Sequence, residues 1–282
     1  MDITHLKQWI GNSESYDELI APFPANAFAA TLNRNDSIYA NDTPLPPLWH
    51  WLHFLQIFNL SDAGYDGHAA LGSFLPPVPL PRRMWAGGRL KFHAPMRIGR
   101  ELKKVSTIKS IKAKNGRSGQ LVFITVGHQV FDGDTFGIDE EHDIVYREEA
   151  NPDVPVSAPP RAPDSSSFSR NIDPDPVLLF RYSALTFNGH RIHYDQPFCV
   201  NLESYKGLIV HGPLIATLLL DLLRREKPDA IVRSFEFRSV STVYENETFS
   251  VHGEPKEDGK TFRLWTRRQD GTLATQAKAT IA

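Results

Sequence analysis

The sequence predicts an α+β fold made of two similar halves, and three observations carry that prediction. Residues 151–176, NPDVPVSAPPRAPDSSSFSRNIDPDP, replace any apolar period with Pro, Ser and Asp and read as a linker. The flanks, residues 1–150 and 177–282, each have the size of a small domain and show the same order of patterns, one helix and then a run of strands. The helix of the second flank is apolar nearly all round, so it has to be covered on every side.

In the first flank, Leu48, Trp51, Leu52 and Leu55 share one helical face, and Trp49, Trp51, Phe54 and Phe58 read as the buried helix of that half. Strand-like segments follow at residues 89–92, 102–108 and 121–130. In the second flank an apolar helix at residues 213–223 precedes strand-like segments at 234–237, 248–253, 261–267 and 273–281. Asn115-Gly116, Asp258-Gly259 and Asp270-Gly271 are the dipeptides that two-residue hairpin turns require, so the strands are expected to be antiparallel. A curved antiparallel sheet wrapped around one long helix, the hot-dog arrangement, would cover the apolar helix. Periodicity alone also permits an ordinary α+β sandwich.

Composition narrows the function. The 282 residues are 41% hydrophobic and 11% aromatic, enough for a sizeable core and against disorder. Net charge is −2 with Lys and Arg scattered, which leaves no electrostatic footprint for nucleic acid. Cys199 is the only cysteine, so neither an internal disulfide nor a cysteine-based zinc site is available, and a reducing compartment is expected. The N-terminus lacks a secretory pattern and no apolar run reaches the ~18–20 residues of a membrane span, so a soluble cytoplasmic protein is expected.

Candidate chemistry lies in Phe187-Asn188-Gly189-His190-Arg191-Ile192-His193-Tyr194-Asp195, followed eighteen residues after His193 by His211-Gly212-Pro213 at the start of the predicted helix. An imidazole with its ordinary pKa of about 6.5 takes and returns protons near neutral pH, which suits His193 to acid–base work. Gly212 at a helix start would offer a free N–H and the positive dipole end to an oxygen gaining charge, with Pro213 tolerated in the first turn. On local sequence alone it is equally a plain helix start. Asn188 can orient a water molecule but cannot act as a base.

These residues resemble the MaoC-like, R-specific enoyl-CoA hydratases, whose signature is Asp-x-Asn-Pro-aliphatic-His followed by an apolar-His-Gly run opening the hot-dog helix. The resemblance puts Asn188 on the family's aspartate, His190 on its asparagine, Ile192 on its aliphatic residue, His193 on its catalytic histidine and Gly212 on its oxyanion-holding glycine. The variant motif, together with Pro79-Leu80-Pro81-Arg82-Arg83-Met84-Trp85-Ala86-Gly87-Gly88-Arg89, is similar to the branch of mesaconyl-C4-CoA hydratase, itaconyl-CoA hydratase and hydroxyacyl-thioester dehydratase type 2, and the similarity spans nearly the whole chain.

The resemblance implies a double hot-dog, with a non-catalytic first half holding an acyl-CoA pocket and a catalytic second half. It implies reversible addition of water to an α,β-unsaturated acyl-CoA, in this branch a branched C5 dicarboxyl ester: itaconyl-CoA or mesaconyl-C4-CoA giving citramalyl-CoA. No metal or redox cofactor is implied, CoA being part of the substrate, and sheet pairing between copies would make a homo-oligomer. Because Asn188 stands where the family has aspartate, the second acid–base group is open: His190, Asp195, or His193 acting twice. Arg82, Arg83, Arg181 and Arg191 are the cations near the motifs, suited to a CoA phosphate or a distal carboxylate.

Other readings remain at this point. A fatty-acid-type 3-hydroxyacyl-thioester dehydratase, a non-catalytic acyl-CoA-binding protein and a thioesterase share the fold. A metal enzyme would use His190, His193 and Asp195 as ligands. No Gly-x-Ser-x-Gly elbow or Gly-rich phosphate loop supports a serine hydrolase or a nucleotide enzyme.

Overall fold

The chain's alternating β-branched and aromatic segments form one ten-stranded sheet in the computed structural model, which describes residues 2–116, 119–149 and 158–282. The first half supplies β1 (Ser13–Leu19), α1 (Pro22–Thr31), β2 (Arg82–Phe92), β3 (Glu101–Gly116), β4 (Gly119–Asp132) and β5 (Thr135–Arg147). The second supplies β6 (Phe168–Ile172), α2 (Pro176–Leu185), α3 (Gly212–Glu226), β7 (Val232–Ser239), β8 (Phe249–Pro255), β9 (Thr261–Arg267) and β10 (Leu273–Ile281). Their order across the sheet is β1-β3-β4-β5-β2-β7-β10-β9-β8-β6, and every ladder among the described residues is antiparallel.

The halves join where β2 pairs with β7, Gly87 opposite Arg238 and Gly88 opposite Phe237. A Cβ on Gly87 would lie 2.4 Å from the Phe237 carbonyl oxygen, so this crossing tolerates only glycine. A bulge between Trp85 and Gly87 turns β2 at the same point.

The helix α3 lies against β6, β8, β9 and β10, and every residue from Leu214 to Leu223 is buried, including Thr217 and Asp221. Burying the Asp221 carboxylate requires partners, and three arginines provide them: Arg34 from the first half, Arg170 from β6 at 3.1 Å and Arg225 one turn on at 2.7 Å. One hydrophobic core runs through both halves, from Ile20 and Trp49 to Leu219 and Ala279.

Three expectations are corrected. The helix expected around Leu48–Leu55 is a single 3-10 turn, Trp49–Leu52. Pro46 and Pro47 precede it, and Leu48 (φ 69°) and Phe54 (φ 55°) adopt left-handed conformations that no continuing helix accepts. The turn is held instead by carboxylates. Glu140 of β5 takes His50 at 2.9 Å and Trp51 Nε1–H at 3.0 Å, and Glu18 of β1 takes His53 at 2.9 Å.

Asn115 and Gly116 continue β3, paired with Gln120 and Gly119, so the expected turn is not at those two residues; 117 and 118 lie outside the described residues. Within the stretch read as a linker, residues 168–172 form β6, and Asp175 caps α2 by accepting the Leu178 N–H at 2.8 Å. Its residues 151–157 lie outside the described residues. The turns at Gly259 (φ 63°) and Gly271 (φ 80°) sit where the dipeptides placed them, but in loops of four and three residues rather than two, closed by Lys256 N–H to the Thr261 carbonyl and Arg268 N–H to the Thr272 carbonyl.

Candidate active site

The helix α2 ends in a device that launches the motif. Phe187 takes a left-handed conformation (φ 47°), its N–H reaches the Ala184 carbonyl, and the Asn188 N–H reaches the Ser183 carbonyl at 2.8 Å. The Asn188 side-chain oxygen then accepts the His190 N–H at 3.0 Å, which bends the chain toward the 3-10 turn Arg191–His193. Asn188 therefore shapes the loop with its oxygen and keeps its amide NH₂ as a donor.

His193 is buried, and its Nδ1 lies 2.7 Å from the Ile209 carbonyl oxygen. A carbonyl only accepts, so Nδ1 carries the hydrogen and Nε2 keeps a lone pair, the tautomer a general base needs. Burial pushes the imidazolium pKa down to about 4, against the Ile209 bond, which favours the charged form. The ring stacks on His211, 3.6 Å between centroids, and His211 is the residue immediately before Gly212. Ser183 holds the far side of His211 at 2.8 Å from Nε2.

The stack sets His193 beside the start of α3, where the first N–H groups of a helix lack internal partners. Beside Gly212 there is open space: an added Cβ would meet only Ser239 Oγ, at 3.9 Å. The helix begins at Gly212, which makes Pro213 its second residue.

The other predicted residues occupy different stations. Asp195 accepts the Phe198 N–H at 3.0 Å and Arg191 Nη2 at 2.8 Å, bonds that hold its carboxyl below the usual range and tie it into the loop. Arg191 also donates to the Tyr65 carbonyl at 3.0 Å and lies over the Phe198 ring. Arg82 donates to the Glu203 carbonyl at 2.8 Å. Arg83 lines a cavity and, unlike Arg82 and Arg191, makes no ion pair among the described residues; Arg181, exposed on α2, makes none either but lies outside that cavity's lining. Cys199 is buried, and burial pushes its thiol up to about 12, which removes it as a nucleophile.

Sequence reasoning missed Asp66 and His68, which reach this site from the first half. Residues 63–69 make a small hairpin, Ala63 paired with Ala69, turning at Asp66-Gly67 with Gly67 at φ 85°. It docks backbone to backbone on the motif: a Cβ on Gly67 would lie 2.0 Å from the Gly189 carbonyl oxygen, and the Arg191 N–H donates to the Asp66 carbonyl at 2.8 Å. The Asp66 carboxylate accepts the His68 N–H at 3.0 Å and lies 2.8 Å from His68 Nδ1. The His68 ring lies 4.0 Å from the His190 ring, which in turn lies 5.5 Å from His193. Against burial, the His68 bonds hold Asp66 well below the usual carboxylate range.

The profile of the family described as hydroxyacyl-thioester dehydratase type 2 matches residues 48–245, a span that contains both the 66–68 hairpin and the His193–Gly212 pair. The chain belongs to that family. It is 44% identical over 270 residues to mesaconyl-C(4)-CoA hydratase of Chloroflexus aurantiacus, covering 95% of each chain. It is 27% identical over 237 residues to the mitochondrial hydroxyacyl-thioester dehydratase type 2 of Schizosaccharomyces pombe, covering 75% of this chain and 78% of the relative. Among solved structures it resembles a MaoC-like dehydratase of Phytophthora capsici, with a TM-score of 0.69 at 13% identity over 100% of this chain and 98% of the other. It also resembles a double-hot-dog protein of Mycobacterium tuberculosis, with a TM-score of 0.58 at 14% identity over 97% and 96% of the two chains. The fold is thus the double hot-dog, with the fifteen-residue helix α3 in the second half and a ten-residue helix, α1, in the first.

Proposed function

We propose that the chain is a hydro-lyase that adds water reversibly to the double bond of an α,β-unsaturated acyl-CoA, its substrate a branched C5 dicarboxyl ester such as mesaconyl-C4-CoA or itaconyl-CoA. The observation that carries the reaction is the His193–Gly212 arrangement: a buried imidazole with its basic Nε2 fixed by the Ile209 carbonyl, beside the open N-terminus of α3. His193 takes a proton from a water oriented by Asn188, the water oxygen bonds to the β-carbon, and negative charge collecting on the thioester oxygen is met by the Gly212 N–H. CoA enters as part of the substrate, and no cofactor takes part.

The acyl group is supported by the similarity to a hydratase named for mesaconyl-C(4)-CoA. A cavity of about 190 Å³ adds to it, lined by Arg83, Lys104, Ser106, His128 and His142 beside Phe54 and Leu71. That is below the ~300–1,000 Å³ of drug-sized ligand sites and rich in donors, so it favours a short acyl group with a polar end. An outer cleft of about 540 Å³ shares Ala69, Ala70 and Leu71 with it. His193 lines neither; residues 66–71 connect them to the histidines. Arg83 is the cation we assign to a distal carboxylate.

We place the first half, residues 1–150, as the acyl pocket and residues 177–282 as the catalytic half, completed by the 66–68 hairpin. No helix is long and apolar enough to cross a membrane among the described residues, and a cytoplasmic location and a homo-oligomer belong to the same proposal. The test is to incubate the protein with mesaconyl-C4-CoA, itaconyl-CoA and crotonyl-CoA and to follow enoyl-thioester absorbance and product mass. One water gained on a C5 diacid ester, faster than on crotonyl-CoA, is the expected result. Fastest turnover of crotonyl-CoA would favour the fatty-acid type of reaction, and binding without hydration of any ester a non-catalytic acyl-CoA-binding protein.

A further inference from the structure

Asn188 leaves the proposed reaction one group short. Water addition needs a base for the water and an acid for the α-carbon, and an amide is neither. Asp195 is committed to Arg191 and the Phe198 N–H. The carboxylate and imidazole nearest to filling the role come from the other half of the molecule, on a hairpin that glycine-to-glycine contact locks against the motif.

We infer that Asp66 and His68 form the second acid–base pair of this site, Asp66 orienting His68 and His68 delivering the proton to the α-carbon. Asp66 Oδ2 accepts from Nδ1 at 2.8 Å, which fixes the His68 tautomer and stabilises its imidazolium, as a carboxylate does for a catalytic histidine. His190, with its ring 4.0 Å from His68 and 5.5 Å from His193, stands between the two proton carriers.

The steps balance. The water oxygen forms a bond to the β-carbon and its proton passes to His193 Nε2. The π electrons move onto the thioester oxygen as an enolate held by the Gly212 N–H. Collapse of the enolate takes the proton of the His68 imidazolium onto the α-carbon. The proton on His193 returns to His68 through His190, and the sum is one water added.

Asp66, His68 and His190 also have the composition of a metal site, their ligand atoms within 4.8 Å of one another. The distances favour the proton pair. Two ligands on one tetrahedral zinc, each about 2.0–2.1 Å from it, sit roughly 3.3 Å apart, whereas the 2.8 Å between His68 Nδ1 and Asp66 Oδ2 is a hydrogen bond. The groups facing His68 are Asp66, His190 and the more distant Arg83 and His193; burial and Arg83 lower its pKa, and Asp66 opposes them.

This inference rests on the hydratase reading, and the experiment separates the two. Hydration of the C5 enoyl-CoA esters is measured across pH for the wild type, His68→Gln and Asp66→Asn, with thermal unfolding as the check on folding. His68→Gln should lower kcat by roughly 10²-fold or more with little change in KM and abolish the loss of rate on the alkaline side. Asp66→Asn should move that alkaline limb to lower pH, because it removes the charge that favours the imidazolium. Asp66→Asn keeps the side-chain shape and carries the test if His68→Gln does not fold. A wild-type kcat with an unchanged pH profile in the variants would overturn the pair while leaving the hydratase reading intact. Loss of wild-type activity to a chelator, restored by zinc, would overturn it in favour of a metal. A wild type that hydrates none of the esters would overturn both.

Discussion

The rings of His193 and His211 stack 3.6 Å apart with 19° between their planes, both buried, one tied to the Ile209 carbonyl and the other to Ser183. Two imidazoles in this contact cannot both carry charge, and burial pushes both pKa values down. The stack is what sets the proposed base at the N-terminus of α3, and it also makes the folded state sensitive to acid.

Acid sensitivity follows from the sign of these shifts. In the folded protein, burial pushes His193 and His128 to about 4 and His142 to about 3, against an ordinary value of about 6.5 in an unfolded chain. Between those limits the unfolded chain binds more protons, so stability is full above about pH 6.5 and falls as the pH drops toward 4. Urea unfolding midpoints measured from pH 7.5 down to pH 4.5 should decline steadily, and a flat profile would contradict the buried neutral histidines.

Asn188→Asp should keep the loop, since a carboxylate oxygen accepts the His190 N–H as the amide oxygen does. It adds a group that titrates near the histidine cluster, so the hydration rate should gain an acid-side limb with little change in melting temperature. A pH profile identical to the wild type would show that the side chain at this position only shapes the loop.

Asp221 is the buried anion that three arginines share. Asp221→Ala leaves Arg170 and Arg225 without a counterion and Arg34 with Asp36 alone, and should cost about 3–5 kcal/mol of stability, read as a lowered denaturant midpoint. Because Arg34 belongs to the first half and α3 to the second, the loss should appear as one cooperative transition of both halves.

What was legible in the sequence tracks where local signals and tertiary demands agree. Strands β9 and β10 and helix α3 carry uninterrupted apolar patterns closed by Asp-Gly turns or a Gly-Pro start; the strands fall on their expected limits, and the helix starts one residue before its expected limit and ends three residues after it. The face formed by Leu48, Leu52 and Leu55 misled because its helical spacing stands in a segment whose conformation is set by Pro46, Pro47 and the distant carboxylates Glu18 and Glu140. Strand β5 escaped notice because Asp139-Glu140-Glu141-His142-Asp143 reads as polar loop, although Glu140 is buried against His50 and Trp51. At the site, His193, Asn188 and Gly212 were visible because they lie within one motif and its sequel. Asp66 and His68 lie more than a hundred residues upstream, yet Asp66-Gly67 is the same turn dipeptide that marked residues 258–259 and 270–271, and weighing it equally would have drawn attention to the hairpin.

The central claim is that His193 draws a proton from water as that water adds to an enoyl-CoA. The measurement that tests it most directly is hydration of mesaconyl-C4-CoA in oxygen-18 water by the wild type and by His193→Ala, with product mass and initial rate recorded together. The account predicts one heavy oxygen in the wild-type product and a rate lowered roughly 10²–10⁴-fold in the variant, with melting temperature little changed. A variant that turns over at the wild-type rate, or a product without the heavy oxygen, would contradict it.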